Sequence, residues 1–300
     1  MDRKWYGGDS GLSTRMAITM LLLFVVYAFF LYLIWWAGAS FVMLAIFAAG
    51  FLLLQYFLSD QMVLWTTGAR IVTPDQAPEL HARVDRLCQL ADLPKPKVAV
   101  MDTAMPNAFA IGRDPSHSTV AVTTGLVSRL DGPELDAVIA HELTHIKNRD
   151  VAVITIASFL STLAFTVVRL ATWFGVGDRR DDRRSDSGNV TILVYVGSLA
   201  VWIISMLLIQ LLSRYREYAA DRGSAIITGA PSQLASALVK ISDTVQRIPD
   251  RDLRELQGAN AFYIIPAISR DSLLEFFSTH PSLQHRLAKL RQLQQQLEGF

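Results

Sequence analysis

Long uncharged apolar runs alternate with mixed segments along this chain. From Met16 to Ser59 there is no Asp, Glu, Lys or Arg, a run of 44 residues. As one helix it would be roughly 66 Å long, about twice the ~30 Å hydrocarbon core of a bilayer. The pattern therefore predicts a transmembrane hairpin over 16–58, turning at Ala37-Gly38-Ala39-Ser40, with Trp35 and Trp36 at the interface. Ala37-Gly38-Ala39 also fits an A-x-A cleavage site. The apolar run ahead of it is too long for a signal h-region and continues beyond it, which favours a retained hairpin. Two more runs follow. Val151–Val168 is uncharged, and its apolar character resumes past Arg169 to about Phe174; Val190–Leu212 is an uncharged stretch of 23 residues. The second has the length of a span, while the first would have to let Arg169 snorkel to the interface. The alternative is a buried or partly inserted hairpin around the active site. Two to four transmembrane helices are expected.

The mixed segments carry shorter periods. Leu80, Val84, Leu87 and Cys88 share one face of an amphipathic helix over Pro78–Ala91, which Pro94 and Pro96 close off. Lys97–Met101, Asn107–Gly112 and Thr119–Thr123 read as strands, the last two joined by the turn-like Arg113-Asp114-Pro115-Ser116. Asp131 is a candidate N-cap and Pro133 a first-turn residue for a helix whose apolar positions are Leu135, Val138, Ile139, Leu143 and Ile146. Ser232–Val245 and Pro281–Leu297 show apolar spacings of three and four and read as helices.

Composition agrees with a membrane protein: 51% hydrophobic, 18% charged, mean hydropathy +0.31. The net charge of +1 without a basic stripe excludes nucleic acid as the expected partner. No Walker-type loop is present, so no nucleotide is expected and any catalysis is ATP-independent. Cys88 is the one cysteine, which rules out an intrachain disulfide; it reads as a small buried apolar residue. Arg3, Lys4 and Arg15 precede the first apolar run, which places the N-terminus in the cytoplasm. The linker Asp178–Asp186, with four arginines, would then lie outside, against the positive-inside rule.

The chemistry sits at His141-Glu142-Leu143-Thr144-His145, an H-E-x-x-H pattern on the Asp131-capped helix. Histidines four apart lie one above the other on a helical face, so both imidazoles can reach one Zn²⁺, and the glutamate between them can act as general base on a water. Three strands followed by such a helix form a zincin-like layout with a small antiparallel sheet, whose edge strand can pair with an extended substrate. A catalytic zinc needs a third protein ligand. Glu217, in the segment Ser213–Asp221 that follows an apolar helix, and His280 are the candidates. Asp221 is four residues beyond Glu217, where a carboxylate can accept the ring N–H of a liganding histidine and fix its tautomer.

Several segments together resemble the HtpX heat-shock membrane proteases, which are related to prenyl-protein zinc peptidases. His141–Asp150 resembles their zinc helix, Ser213–Asp221 their second-helix signature, Asn107-Ala108-Phe109-Ala110 their edge-strand motif, and Ser278-Thr279-His280-Pro281 with Arg286 their C-terminal signature. The resemblance covers nearly the whole chain. It implies an α+β integral membrane zinc endopeptidase with one Zn²⁺ per chain, Glu217 as third ligand and Glu142 as base. It also implies His280 as an oxyanion donor, and Asn107, Ala108, Phe109 and Arg286 on the substrate side, with an acidic group of the site or solvent as the alternative partner of Arg286. Implied substrates are damaged or misfolded membrane polypeptides, cut at the cytoplasmic face of a bacterial inner membrane in stress response and quality control, with the lipid bilayer as the other partner.

The expected organisation is a cytoplasmic N-terminus (1–15), a hairpin (16–58), a zincin half (59–150), a second hydrophobic hairpin (151–212, charged linker 175–189) and a helical half (213–300). Two other readings compete. A prenyl-protein peptidase would be expected to carry more spans and an enclosed chamber. A non-catalytic scaffold with structural zinc would be expected to show four closed ligands rather than three and no need for Glu142.

Overall fold

The computed structural model describes residues 10–38, 63–173, 185–245 and 281–299, with isolated positions between 40 and 61. These residues form two compact units. One comprises Met1–Tyr56 and Val153–Tyr215, the other Phe57–Ala152 and Arg216–Phe300.

The first unit is helical. Helix α1 is Ser10–Trp36 and ends at the expected turn, where Gly38 adopts a φ of 94°. The second arm of the expected hairpin falls largely outside the described residues. Two further helices, Asp150–Trp173 and Ser185–Thr228, lend this unit the portions that lie within Val153–Tyr215. Their buried contacts are made by Leu23, Tyr27, Ala157 and Leu212 in one cluster and Phe30, Ile34, Ala164 and Val201 in another. Close approach depends on small residues: a Cβ at Gly197 would lie 2.4 Å from Leu33 Cδ2. The Tyr27 hydroxyl donates to the Ala157 carbonyl. Leu21, Phe24, Phe29, Tyr32, Ile192 and Val196 point outward, an apolar exterior that suits lipid rather than water. Among the described residues, three helices are long and apolar enough to cross a membrane: Ser10–Trp36, Asp150–Arg169 and Ile192–Thr228.

The second unit holds the sheet. Strands β1 (Arg70–Ile71), β2 (Lys97–Met101), β3 (Ala108–Asp114) and β4 (His117–Thr123) lie in the order β1-β2-β4-β3. The sheet is mixed where an antiparallel one was expected. The β3–β4 hairpin folds β4 back between β2 and β3, so β4 runs parallel to β2 while β3 pairs antiparallel to β4 at the edge. Alternation sorts the side chains. Val98, Val120, Val122 and Ala108 face the main core; Ala99, Ala121, Phe109 and Ile111 face a second layer closed by Val63, Leu64 and Ala69.

The main core is completed by α2 (Pro78–Ala91), α4 (Gly132–Lys147), α7 (Pro231–Val245) and α8 (Leu283–Glu298), with a short helix α3 (Thr124–Val127) leading into α4. Helix α4 starts where the sequence places it. The Asp131 carboxylate accepts from Glu134 N at 3.0 Å, and the Glu134 side chain accepts from Asp131 N at 3.1 Å, a full capping box. Ser236 and Lys240 of α7 both bind Glu134, at 2.6 Å each, which fastens α7 to the start of α4.

Helices α5 (Asp150–Trp173) and α6 (Ser185–Thr228) contain the two apolar runs. Helix α6 runs unbroken from the apolar run through Ser213–Asp221. The polar segment keeps a helical period, so nothing in it stops the helix. Of the expected linker 175–189, residues 185–189 begin α6, and 174–184 lie outside the described residues.

Candidate metal centre

The centre is built where α4 and α6 cross within the second unit. Gly223 makes the crossing close: a Cβ there would sit 2.3 Å from Thr144 Cγ2 and 2.4 Å from Thr144 Oγ1. The next residue locks it, with Ser224 Oγ donating to the Ala137 carbonyl at 2.6 Å.

One turn apart on α4, His141 and His145 bring their Nε2 atoms to 3.2 Å. Glu217 of α6 closes the group, with Oε2 3.5 Å from His141 Nε2 and Oε1 3.6 Å from His145 Nε2. One ligand atom from each of the three lies within 4.8 Å of the others. The far side of each ring faces a carboxylate. His145 Nδ1 is 2.5 Å from Asp150 Oδ2, and His141 Nδ1 is 3.1 Å from Asp221 Oδ1, close but poorly aligned for a hydrogen bond. With carboxylates behind them, the rings keep their protons on Nδ1 and turn Nε2 lone pairs toward Glu217. Two lone pairs and a carboxylate converging out of water repel one another unless a cation sits among them. This donor set, two imidazole nitrogens and one carboxylate, fits a catalytic zinc.

The surrounding charges agree. Burial pulls the His145 imidazole down to about 4, so it offers a lone pair at neutral pH. Burial also pulls on His141, but the adjacent Asp221 and Glu217 carboxylates carry it up to about 9, which marks a place that attracts positive charge. Glu142 is 4% exposed. Burial raises its pKa above the ordinary glutamate value, Glu217 adds to the rise, and His141, His145 and Arg286 oppose it. A carboxylate so placed holds a proton more readily than one in water.

The structure thus brings together His141, Glu142, His145, Glu217 and Asp221, all named from the sequence. Arg286 pairs with acidic groups of the site, one of the partners expected for it. It is 1% exposed, with Nε 2.9 Å from Asp221 Oδ2, Nη2 2.6 Å from Asp221 Oδ1 and Nη1 3.4 Å from Glu217 Oε2. The carboxylates draw it inward and raise its pKa against burial. His280 lies outside the described residues. Asn107, Ala108 and Phe109 are all buried. Asn107 N donates to Thr123 Oγ1 at 2.8 Å, and Ala108 and Phe109 point into the two opposite layers of the sheet. What they present at the sheet edge is backbone.

Sequence reasoning missed Asp150 and Arg216. A residue five beyond His145 on a continuous helix would be turned roughly 140° away. Arg149 instead adopts φ 55°, ends α4 and swings Asp150 back beneath His145. The signal available was an aspartate at the start of an apolar helix, which reads equally well as a helix N-terminal charge.

Comparison with known proteins bears on the same residues. The profile of peptidase family M48 matches residues 74–294. A protease HtpX homolog of Moorella thermoacetica is 56% identical over 300 residues, covering 99% of each chain. Protease HtpX homolog 2 of Methanosarcina acetivorans is 55% identical over 297 residues, covering 99% of this chain and all of that one, 100%. Protease HtpX homolog 1 of Streptomyces coelicolor is 45% identical over 294 residues, covering 97% and 96%. The crystal structure of S. mikatae Ste24p shares the fold, with a TM-score of 0.53 at 18% identity, over 93% of this chain and 66% of that one.

Proposed function

The chain belongs to peptidase family M48 and is a membrane-bound metalloprotease, and we propose that it holds one Zn²⁺ on His141, His145 and Glu217 and cuts unfolded or misassembled membrane polypeptides. The observation that carries this reading is the convergence of two Nε2 atoms and the Glu217 carboxylate beside a buried glutamate.

Zinc bound there supplies a Lewis acid that polarises a carbonyl and makes a water more acidic. The chain's own residues do the rest. Glu142 takes the proton of the attacking water and passes it to the leaving nitrogen; its buried setting favours a base that can hold that proton for a time. Asp221 and Asp150 keep the ligand rings oriented. Arg286 grips Asp221 through two nitrogens, which supports a role in positioning rather than in binding substrate. His280 is assigned as a second donor to the developing oxyanion. Among the described residues no strand covers the outer edge of β3, and an extended peptide can lie along it beside Asn107, Ala108 and Phe109, held by backbone hydrogen bonds that tolerate many sequences.

The proposed setting is a bacterial cytoplasmic membrane, with several spans and the site on the cytoplasmic face. Arg3 and Lys4 ahead of α1, and Arg15 near its start, support that orientation.

A paired assay tests the reading. Wild type and Glu142→Ala, purified in detergent with equal zinc loading, are given casein as an unfolded substrate. Retention of zinc by both with cleavage by the wild type alone is expected. Equal cleavage by both removes Glu142 as the base. Zinc binding by both without cleavage of casein, but with cleavage of a prenylated peptide, moves the activity to the prenyl-protein class.

A further inference from the structure

Each histidine of the centre is backed by a carboxylate, and each carboxylate by a buried arginine. On the His141 side the arginine is Arg286, from α8. On the His145 side it is Arg216, the residue before Glu217, with Nη2 2.8 Å from Asp150 Oδ1 while Asp150 Oδ2 holds His145 Nδ1 at 2.5 Å. We propose that Arg216 is a positioning residue for the metal ligand His145, acting through Asp150. This inference rests on the zinc-peptidase reading given above.

Three observations carry it. First, Arg216 is only 4% exposed, and among the described residues its Nε and Nη1 have no hydrogen-bond partner. A guanidinium so buried is a costly arrangement, and the ion pair with Asp150 helps to offset it. Second, the two Asp150 oxygens are divided between the two partners, so the arginine fixes the carboxylate plane that faces the imidazole. Third, the backbone leading to Asp150 is strained. Arg149 takes a left-handed φ of 55° that L side chains rarely adopt, and this turn delivers Asp150 to His145.

The geometry makes His145 the more tightly oriented ring. Its Nδ1 contact is 2.5 Å, against 3.1 Å and poor alignment for His141. Arg216 and Glu217 are also consecutive on α6, so one helix sets a ligand and the anchor of a second ligand together. Any shift of α6 along its axis changes both.

The test uses the full-length protein in detergent and reads zinc affinity by competition with a chelator, together with the visible absorption spectrum of the cobalt-substituted form. Asp150→Asn weakens zinc binding by about 10- to 100-fold, the usual effect of removing a carboxylate behind a liganding histidine. Arg216→Gln is expected to weaken it about tenfold and to alter the cobalt spectrum in the same sense as Asp150→Asn. The double variant is expected to be no more than about threefold weaker than Asp150→Asn alone, because the two act on one path.

Two results overturn the proposal: Arg216→Gln within twofold of wild type with an unchanged cobalt spectrum, or a loss that adds in full to that of Asp150→Asn. Should Arg216→Gln fail to fold, Arg216→Lys takes its place. It keeps a cation beside Asp150 and is expected to hold affinity within about threefold. A loss as large as that of Asp150→Asn would assign Arg216 to packing and overturn the proposal. Failure of the zinc-peptidase reading looks different: the wild type itself would bind no stoichiometric zinc, or Glu142→Ala would cut as well as wild type.

Discussion

Gly223→Ala is a one-carbon change that tests how the centre is assembled. The added Cβ would lie 2.3 Å from Thr144 Cγ2, 2.4 Å from Oγ1 and 2.9 Å from Cβ. An ordinary carbon–carbon contact is about 3.7 Å, so the pair must open by about 1.4 Å. Thr144 cannot readily yield: it is β-branched, and its Oγ1 donates to the Ala140 carbonyl at 2.8 Å. The helices therefore separate, and the shift falls on contacts of 3.5 and 3.6 Å between Glu217 and the two Nε2 atoms. Overpacking costs about 1–3 kcal/mol, offset by about 1 kcal/mol from replacing a mid-helix glycine with alanine. A net loss of 0–2 kcal/mol in stability is expected, with a much larger effect on zinc: at least tenfold weaker binding by chelator competition and a matching loss of casein cleavage. Thr144→Ala in the same chain removes the two nearest atoms but leaves the 2.9 Å contact, so it recovers part of the affinity. Wild-type zinc affinity in Gly223→Ala, with an unchanged melting temperature, would refute the argument that this crossing sets the ligand distances.

Other expectations are simpler to check. Asp131→Ala removes the capping box at the start of α4 and costs about 1 kcal/mol, a fall of a few degrees in melting temperature, whereas Asp131→Asn keeps most of the cap; equal melting temperatures for all three chains would argue against it. Arg149→Gly, at a φ of 55°, keeps zinc affinity and leaves stability equal or higher, while Arg149→Val loses about 1–2 kcal/mol; the order of the two melting temperatures decides. Cys88 is buried, and burial first, then the Asp85 charge, pushes its thiol up to about 11 from an ordinary 9. The unfolded chain loses this proton near 9 while the folded one keeps it, so Cys88 withdraws stability as pH rises from 9 toward 11 and has no effect below 9. Labelling of the native protein by a thiol reagent should be slow at pH 8 and fast only after unfolding, and rapid labelling of the native protein would contradict the burial.

Local signals were legible in the sequence because each is a short-range rule. The Asp131 cap, the Pro78–Ala91 helix with its closing prolines, strand β2 and the length of the apolar runs follow from steric and hydrogen-bonding preferences within a few residues. The spacing of His141 and His145 is likewise fixed by the helical period. The rest depends on where distant segments meet. The sequence offered three strands but not their order; the return of the β3–β4 hairpin to β2 is a packing choice that buries Val120 and Val122 against α4 and leaves β3 at the edge. Spacing alone left Glu217 and His280 as alternative third ligands, and the close crossing at Gly223 brings Glu217 to the histidines. For Arg286 the sequence left an acidic group of the site, solvent and substrate as alternative partners. Only a fold that places α8 against Asp221 turns it inward. Asp150 was hidden by one backbone angle at Arg149, since the side chain a residue meets after a left-handed turn is set by the folded path of the chain. Charges buried in pairs are the part of this protein that sequence cannot place, because each is tolerable only beside a partner far away in the chain.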